Sequence, residues 1–120
     1  MYALNTSTMT IEGFTASSIA TSNPQLVATI YDVRREQKPD FSEYLRAPML
    51  TTFTGVTTVT LITAPGQDLT RKIERLQIFN ADTVPHTITV RYNSNTTTYG
   101  IVKQAVQSNE TLDLINLKIV

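Results

Sequence analysis

The chain has 120 residues, ten basic against ten acidic, and no cysteine. A single domain of this size buries roughly two-thirds of its extended-chain surface unaided, and the missing cysteines exclude a disulfide framework, a thiolate zinc site and a cysteine nucleophile. Balanced charge gives no general attraction to polyanions, so neither nucleic acid nor an anionic membrane is an expected partner.

Residues 1–50 read as an N-terminal arm with short strand or helix elements. Residues 1–24 are rich in Ser, Thr and small side chains, with isolated apolar groups at Met9, Ile11 and Phe14. Gln25 to Val33 offers an apolar strand, Arg34 to Pro39 a charged connection, and Asp40 to Leu45 one helical turn capped by Asp40. Five of the nine aromatic residues precede Pro48, namely Tyr2, Phe14, Tyr31, Phe41 and Tyr44. A disordered tail is poor in aromatics, so the arm is expected to bury them, on its own sheet or on a neighbour.

From Thr51 onward short alternating runs are separated by turn residues, which predicts a β-sandwich domain over 51–120, of immunoglobulin-like or jelly-roll type. The first strand spans about Gly55 to Thr63, with Val59 and Leu61 inward. Ala64-Pro65-Gly66-Gln67 reads as a turn in which Gly66 supplies the positive φ. Ile73 to Asn80 follows, with Leu76 and Ile78 on one face and Ile73 off the alternation, the mark of a bulge or of a late strand start. Asp82 to Pro85 reverses the chain. His86 to Asn93 is the clearest strand, with Ile88, Val90 and Tyr92 on one side and Thr87, Thr89 and Arg91 on the other.

Asn93-Ser94-Asn95 predicts a hairpin turn. Thr96 to Val106 then forms a strand whose parity shifts near Gly100, and Ser108-Asn109-Glu110 turns again. Thr111 to Val120 closes the domain as a strand or strand pair with a break near Ile115 and Asn116. Threonine, 21 of 120 residues, runs through these strands and suits the solvent side of a pleated sheet. No apolar run approaches the roughly 20 residues that span a bilayer, and the N-terminus lacks a basic stretch before an apolar core, so the chain is expected to stay in the cytoplasm of its producer.

Reactive chemistry is thin. A Ser-His-Asp arrangement would have to use His86, the one histidine, with Asp82 as orienter, and no G-x-S-x-G motif accompanies it. The expected role is a turn histidine that satisfies backbone groups. Asp32, Glu36, Asp40 and Glu43 interleave with Arg34, Arg35 and Lys38, which describes a salt-bridged surface better than a calcium loop. Arg71, Lys72 and Arg75 lack a stacking aromatic and read as edge or interface charges. The N-x-[ST] triplets at Asn5, Asn95 and Asn109 imply little in a Thr-rich chain. No enzyme, cofactor or metal site is expected.

The run Leu61-Ile62-Thr63-Ala64-Pro65-Gly66, the strand Ile73 to Asp82, the strand His86-Thr87-Ile88-Thr89-Val90 and the turn Ser108 to Leu112 resemble small β-sandwich structural proteins of tailed bacteriophages. The resemblance covers about residues 57–120 and implies a virion protein assembled in the host bacterial cytoplasm. It points first to a capsid decoration or cement protein, held by its arm on the major capsid protein or other virion subunits and expected as a homotrimer. Under that expectation Tyr31, Phe41, Tyr44 and Leu45 are intersubunit anchors, with Arg34 and Arg35 pairing to acidic groups at the rim. A head-tail connector or tail-fibre adaptor is the alternative. A carbohydrate-binding module is a further one, which would need exposed aromatics from among Phe53, Phe79, Tyr92 and Tyr99.

Overall fold

Aliphatic residues at every second position mark the strands over 25–34 and 86–94. The structure, a computed structural model, describes residues 2–34 and 46–120. Among these residues ten strands run in chain order: β1 (Tyr2–Leu4), β2 (Met9–Thr15), β3 (Gln25–Arg34), β4 (Ala47–Thr52), β5 (Val59–Ile62), β6 (Leu69–Phe79), β7 (His86–Ser94), β8 (Thr97–Val106), β9 (Thr111–Asp113) and β10 (Lys118–Ile119). They pair antiparallel in two sheets. One has the order β10-β9-β6-β3-β4 with β1 also on β6, and the other the order β5-β2-β7-β8. The fold is all-β, two sheets packed face to face as a β-sandwich.

The core lies between the inner faces. Leu26, Ala28 and Ile30 of β3 and Ile73, Leu76 and Ile78 of β6 come from one sheet; Ile11 of β2, Leu61 and Ile62 of β5, and Ile88 and Val90 of β7 come from the other. The expected bulge is present: Thr29 faces Arg75 and Ile30 faces Ile73, so Glu74 is the extra residue that returns Ile73 to the inner face. The parity change in β8 has the same cause. Val90 faces Val102 and Arg91 faces Gly100, leaving Ile101 unmatched.

Several expectations are corrected. Residues 2–34 and 46–50 are not an arm beside a separate domain, because β1 to β4 supply strands to both sheets and Leu4, Ile11, Leu26, Ala28 and Ile30 to the core. A sandwich of 51–120 alone would lose those side chains. The helical turn expected over 40–45 lies outside the described residues. The turn before β6 sits two residues late: Leu69 N–H donates to Gly66 O at 3.1 Å, and Asp68, not Gly66, takes the positive φ. The β7–β8 hairpin centres on Asn95 and Thr96, both at positive φ, with Ser94 opposite Thr97. Both central angles are those of a type I′ turn, whose twist matches the strands it joins. Tyr92 is half-buried, not inside, and Phe53 is fully buried.

Candidate functional site

Polar chemistry concentrates where β6 turns into β7. Pro85 cannot donate to a ladder and so ends the connection. His86 opens β7 pointing inward, and its ring and the Asp82 carboxylate are both fully buried. The Asp82 Oδ2 lies 2.6 Å from His86 Nε2 and accepts the Ala20 N–H at 2.9 Å. Its Oδ1 accepts the N–H groups of Thr21 and Thr83, each at 2.8 Å. The Ser22 N–H, at 3.2 Å, and the Thr21 hydroxyl, at 3.1 Å, also donate to Oδ1. Burial opposes ionisation of Asp82, but His86 and the backbone N–H groups of Ala20, Thr21 and Ser22 outweigh it and hold the carboxyl far below the usual range.

On the other side of the ring, Ser17 Oγ stands 3.2 Å from His86 Nδ1. The carboxylate can only accept, so His86 Nε2 carries a proton and donates to Asp82, and the Ser17 hydroxyl meets the ring at Nδ1. His86 therefore answers side chains, not the backbone groups expected of it. Ser17, His86 and Asp82 stand in the order of a nucleophilic relay. The N–H groups of Ala20, Thr21 and Ser22, on the same loop as Ser17, are engaged by Asp82. The arrangement is a clamp that fixes the β2–β3 loop on the β6–β7 connection. Ser17 lies 69 residues from His86, and no local signal connects them.

Of the expected anchors, Tyr31 lies on the outer face of β3 with the Arg46 guanidinium 5.1 Å from its ring centre. Arg46 forms a two-pronged pair with Glu74, at 2.6 and 2.7 Å. The pair raises the Arg46 pKa and lowers that of Glu74, in each case chiefly through the hydrogen bond. Arg34 ends β3 opposite Leu69 and is exposed. Arg35, Phe41, Tyr44 and Leu45 lie outside the described residues. The Arg71, Lys72 and Arg75 group is not one patch: Arg71 grips Asp32 at 2.9 and 3.1 Å and Thr63 O at 2.8 Å, while Arg75 donates to Gln77.

The same sheet also carries a groove of about 530 Å³ lined by Gln25, Leu26, Val27, Leu50, Thr51 and Thr52. It runs along β4, the sheet's outermost strand on that side. Leu50 is 71% exposed and faces the half-buried Val27, which faces Gln77 in turn, so an apolar pair lies beside a strand edge that pairs with no other described strand. Pro48 faces Thr29 on this strand and blunts one donor position of the edge. Thr51 Oγ1 donates to Leu61 O at 3.0 Å, tying β4 to β5 of the other sheet.

Comparison with protein-family models, with curated proteins and with solved structures finds no match to this chain.

Proposed function

We propose that this chain is a non-enzymatic structural protein of a tailed-phage virion, a cement or decoration protein that binds the capsid and is itself a homotrimer. The reading rests on the sequence resemblance and on one structural observation, the apolar groove beside the β4 edge. The buried ionisable groups serve the fold: Asp82 and His86 clamp loops. Leu50 and Val27, in contrast, stand where an extended segment of a partner laid along β4 would cover them and pair with its backbone. Leu50 is the anchor in this reading, and the Arg46–Glu74 pair lies on the rim beside Tyr31.

The test is co-sedimentation with tailed-phage heads lacking this chain, together with the solution mass. Saturable binding by a three-copy species, abolished by Leu50→Glu at unchanged melting temperature, is the expected result. A ring of six or twelve copies that binds only the portal vertex would replace the proposal with the connector reading. Undiminished binding by Leu50→Glu would remove the groove from it.

A further inference from the structure

The outer face of the four-stranded sheet carries a second polar cluster that the groove does not involve. Alternation places Thr10, Glu12 and Phe14 of β2 beside Asn93, Arg91 and Thr89 of β7, and Thr98, Gly100 and Lys103 of β8 complete the same rows. Thr60 of β5 stands opposite Glu12 on the far side. Glu12 is only 8% exposed. Its two carboxylate oxygens accept Arg91 Nε at 2.7 Å and Asn93 Nδ2 at 3.1 Å. The Arg91 guanidinium also lies over the Phe14 ring, 5.1 Å from its centre.

Arg91 is thereby fixed on two sides, by an ion pair through Nε and by an aromatic face. Its two terminal nitrogens donate to no described residue, although the side chain is 29% exposed. The next residue across the sheet is Gly100, where an added Cβ would meet nothing within 4 Å, so the row is open beside the guanidinium. Lys103 is exposed on the same face, beside Thr89. A planar cation held in one orientation loses little freedom on binding, and its remaining donors match a carboxylate in two-pronged geometry. Around it the threonines at 10, 60, 89 and 98 present hydroxyls that both donate and accept.

We infer that this face binds an acidic saccharide, with a uronate-type carboxylate on the terminal nitrogens of Arg91, Lys103 as the second cation and the threonine rows meeting ring hydroxyls. Charge selects the acidic sugar over a neutral one. The flat hydroxyl-lined rows fit a ring that lies on the sheet. The site is independent of how the chain is mounted, since it occupies the opposite sheet from the β4 groove.

The experiment is amide NMR titration of the whole chain with tri-galacturonate and with its methyl ester, repeated on Arg91→Lys and Lys103→Ala. The expected result is a set of shifts at Glu12, Arg91, Gly100 and Lys103 with the acid but not the ester, weakened roughly tenfold or more in Arg91→Lys, which keeps the charge and loses the fork. Arg91→Lys must show the native amide spectrum, and if it does not, Lys103→Ala carries the comparison with an expected weakening of a few-fold. No shifts at millimolar acid, equal shifts with the ester, or equal affinity in the folded variants would overturn the assignment. So would tighter binding of an oligoglutamate peptide at the same amides, which would make this a protein-contact face instead.

Discussion

The Asp82 carboxylate accepts the backbone N–H of Thr21 at 2.8 Å across 61 residues of sequence. One buried side chain thus holds the loop between β2 and β3 against the turn between β6 and β7, in both cases through groups the loop would otherwise leave unpaired.

That clamp makes stability depend on acid in a defined direction. The folded-state pKa of Asp82 is depressed, so its contribution is fully present above the carboxylate range of the unfolded chain, near pH 4, and is lost as pH falls below it toward the folded value. Asp113 acts in the same sense, lowered by the Asn116 side chain, against burial, and by the N–H groups of Asn116 and Ile115. Urea midpoints should hold steady from pH 7 to 5 and drop steeply below pH 4. Asp82→Asn should melt roughly 5 to 20 °C lower at pH 7 and show a shallower decline in acid. An unchanged acid slope in that variant would show that the clamp is not the sensitive group.

Two glycines should respond in opposite ways to the same added methyl. At Gly13 a Cβ would stand 2.8 Å from Thr89 O and 2.9 Å from atoms of Leu61 and Phe53. The carbonyl belongs to the β7 backbone and has nowhere to retreat, so Gly13→Ala should cost about 1–3 kcal/mol. At Gly100 the same atom meets nothing within 4 Å, and Gly100→Ala should stay within about 0.5 kcal/mol of wild type. Chemical denaturation of the two variants side by side decides it.

Thr96 occupies the second central position of the β7–β8 turn with φ of 75°. A β-branched residue is strained there, and Asn-Gly is the preferred pair for this turn. Thr96→Gly should raise stability by about 0.5–1 kcal/mol, the relief of strain exceeding the added freedom of the unfolded chain. A melting temperature that falls would contradict the turn geometry.

Asn80 is fully buried and fully paired. Its amide donates to Val84 O at 3.0 Å and Val106 O at 2.9 Å, and its Oδ1 accepts the Asp82 N–H at 3.1 Å. Asn80→Asp is nearly the same shape, yet it turns a donor toward two carbonyls into a charged acceptor. A loss of roughly 3 kcal/mol is expected at pH 7, read from equilibrium unfolding, and the gap to wild type should narrow as pH falls toward 4, because burial against two carbonyls raises the new carboxyl's folded-state pKa above its unfolded value.

The strands of the second half were legible because their inward residues are aliphatic: Leu76, Ile78, Ile88 and Val90 all lie in the core. The bulges in β6 and β8 announced themselves as breaks in parity. β2 escaped notice for the opposite reason. Its inward positions are Ile11, Gly13 and Thr15, all buried, and only one of the three is aliphatic. The small residue at 13 makes room for Phe53 and Leu61, a relation between distant segments that no local pattern carries. The same limit hid the clamp. Asp82 and His86 are four apart and could be paired on paper, whereas Ala20, Thr21 and Ser17 reach them only through the fold. Arg91 was read correctly as outward, but its partner Glu12 lies 79 residues earlier.

β1 and β9 dock end to end along one flank of β6, β1 against Arg71 to Ile73 and β9 against Gln77 to Phe79, and the Tyr2 hydroxyl closes the junction on Leu114 O at 2.9 Å. That flank is complete only once β9 and Leu114 have docked, so any partly folded state in which they are still loose carries a bare strand edge on β6. Docking of β9, not the formation of any earlier strand, is therefore the step that closes this molecule to its neighbours.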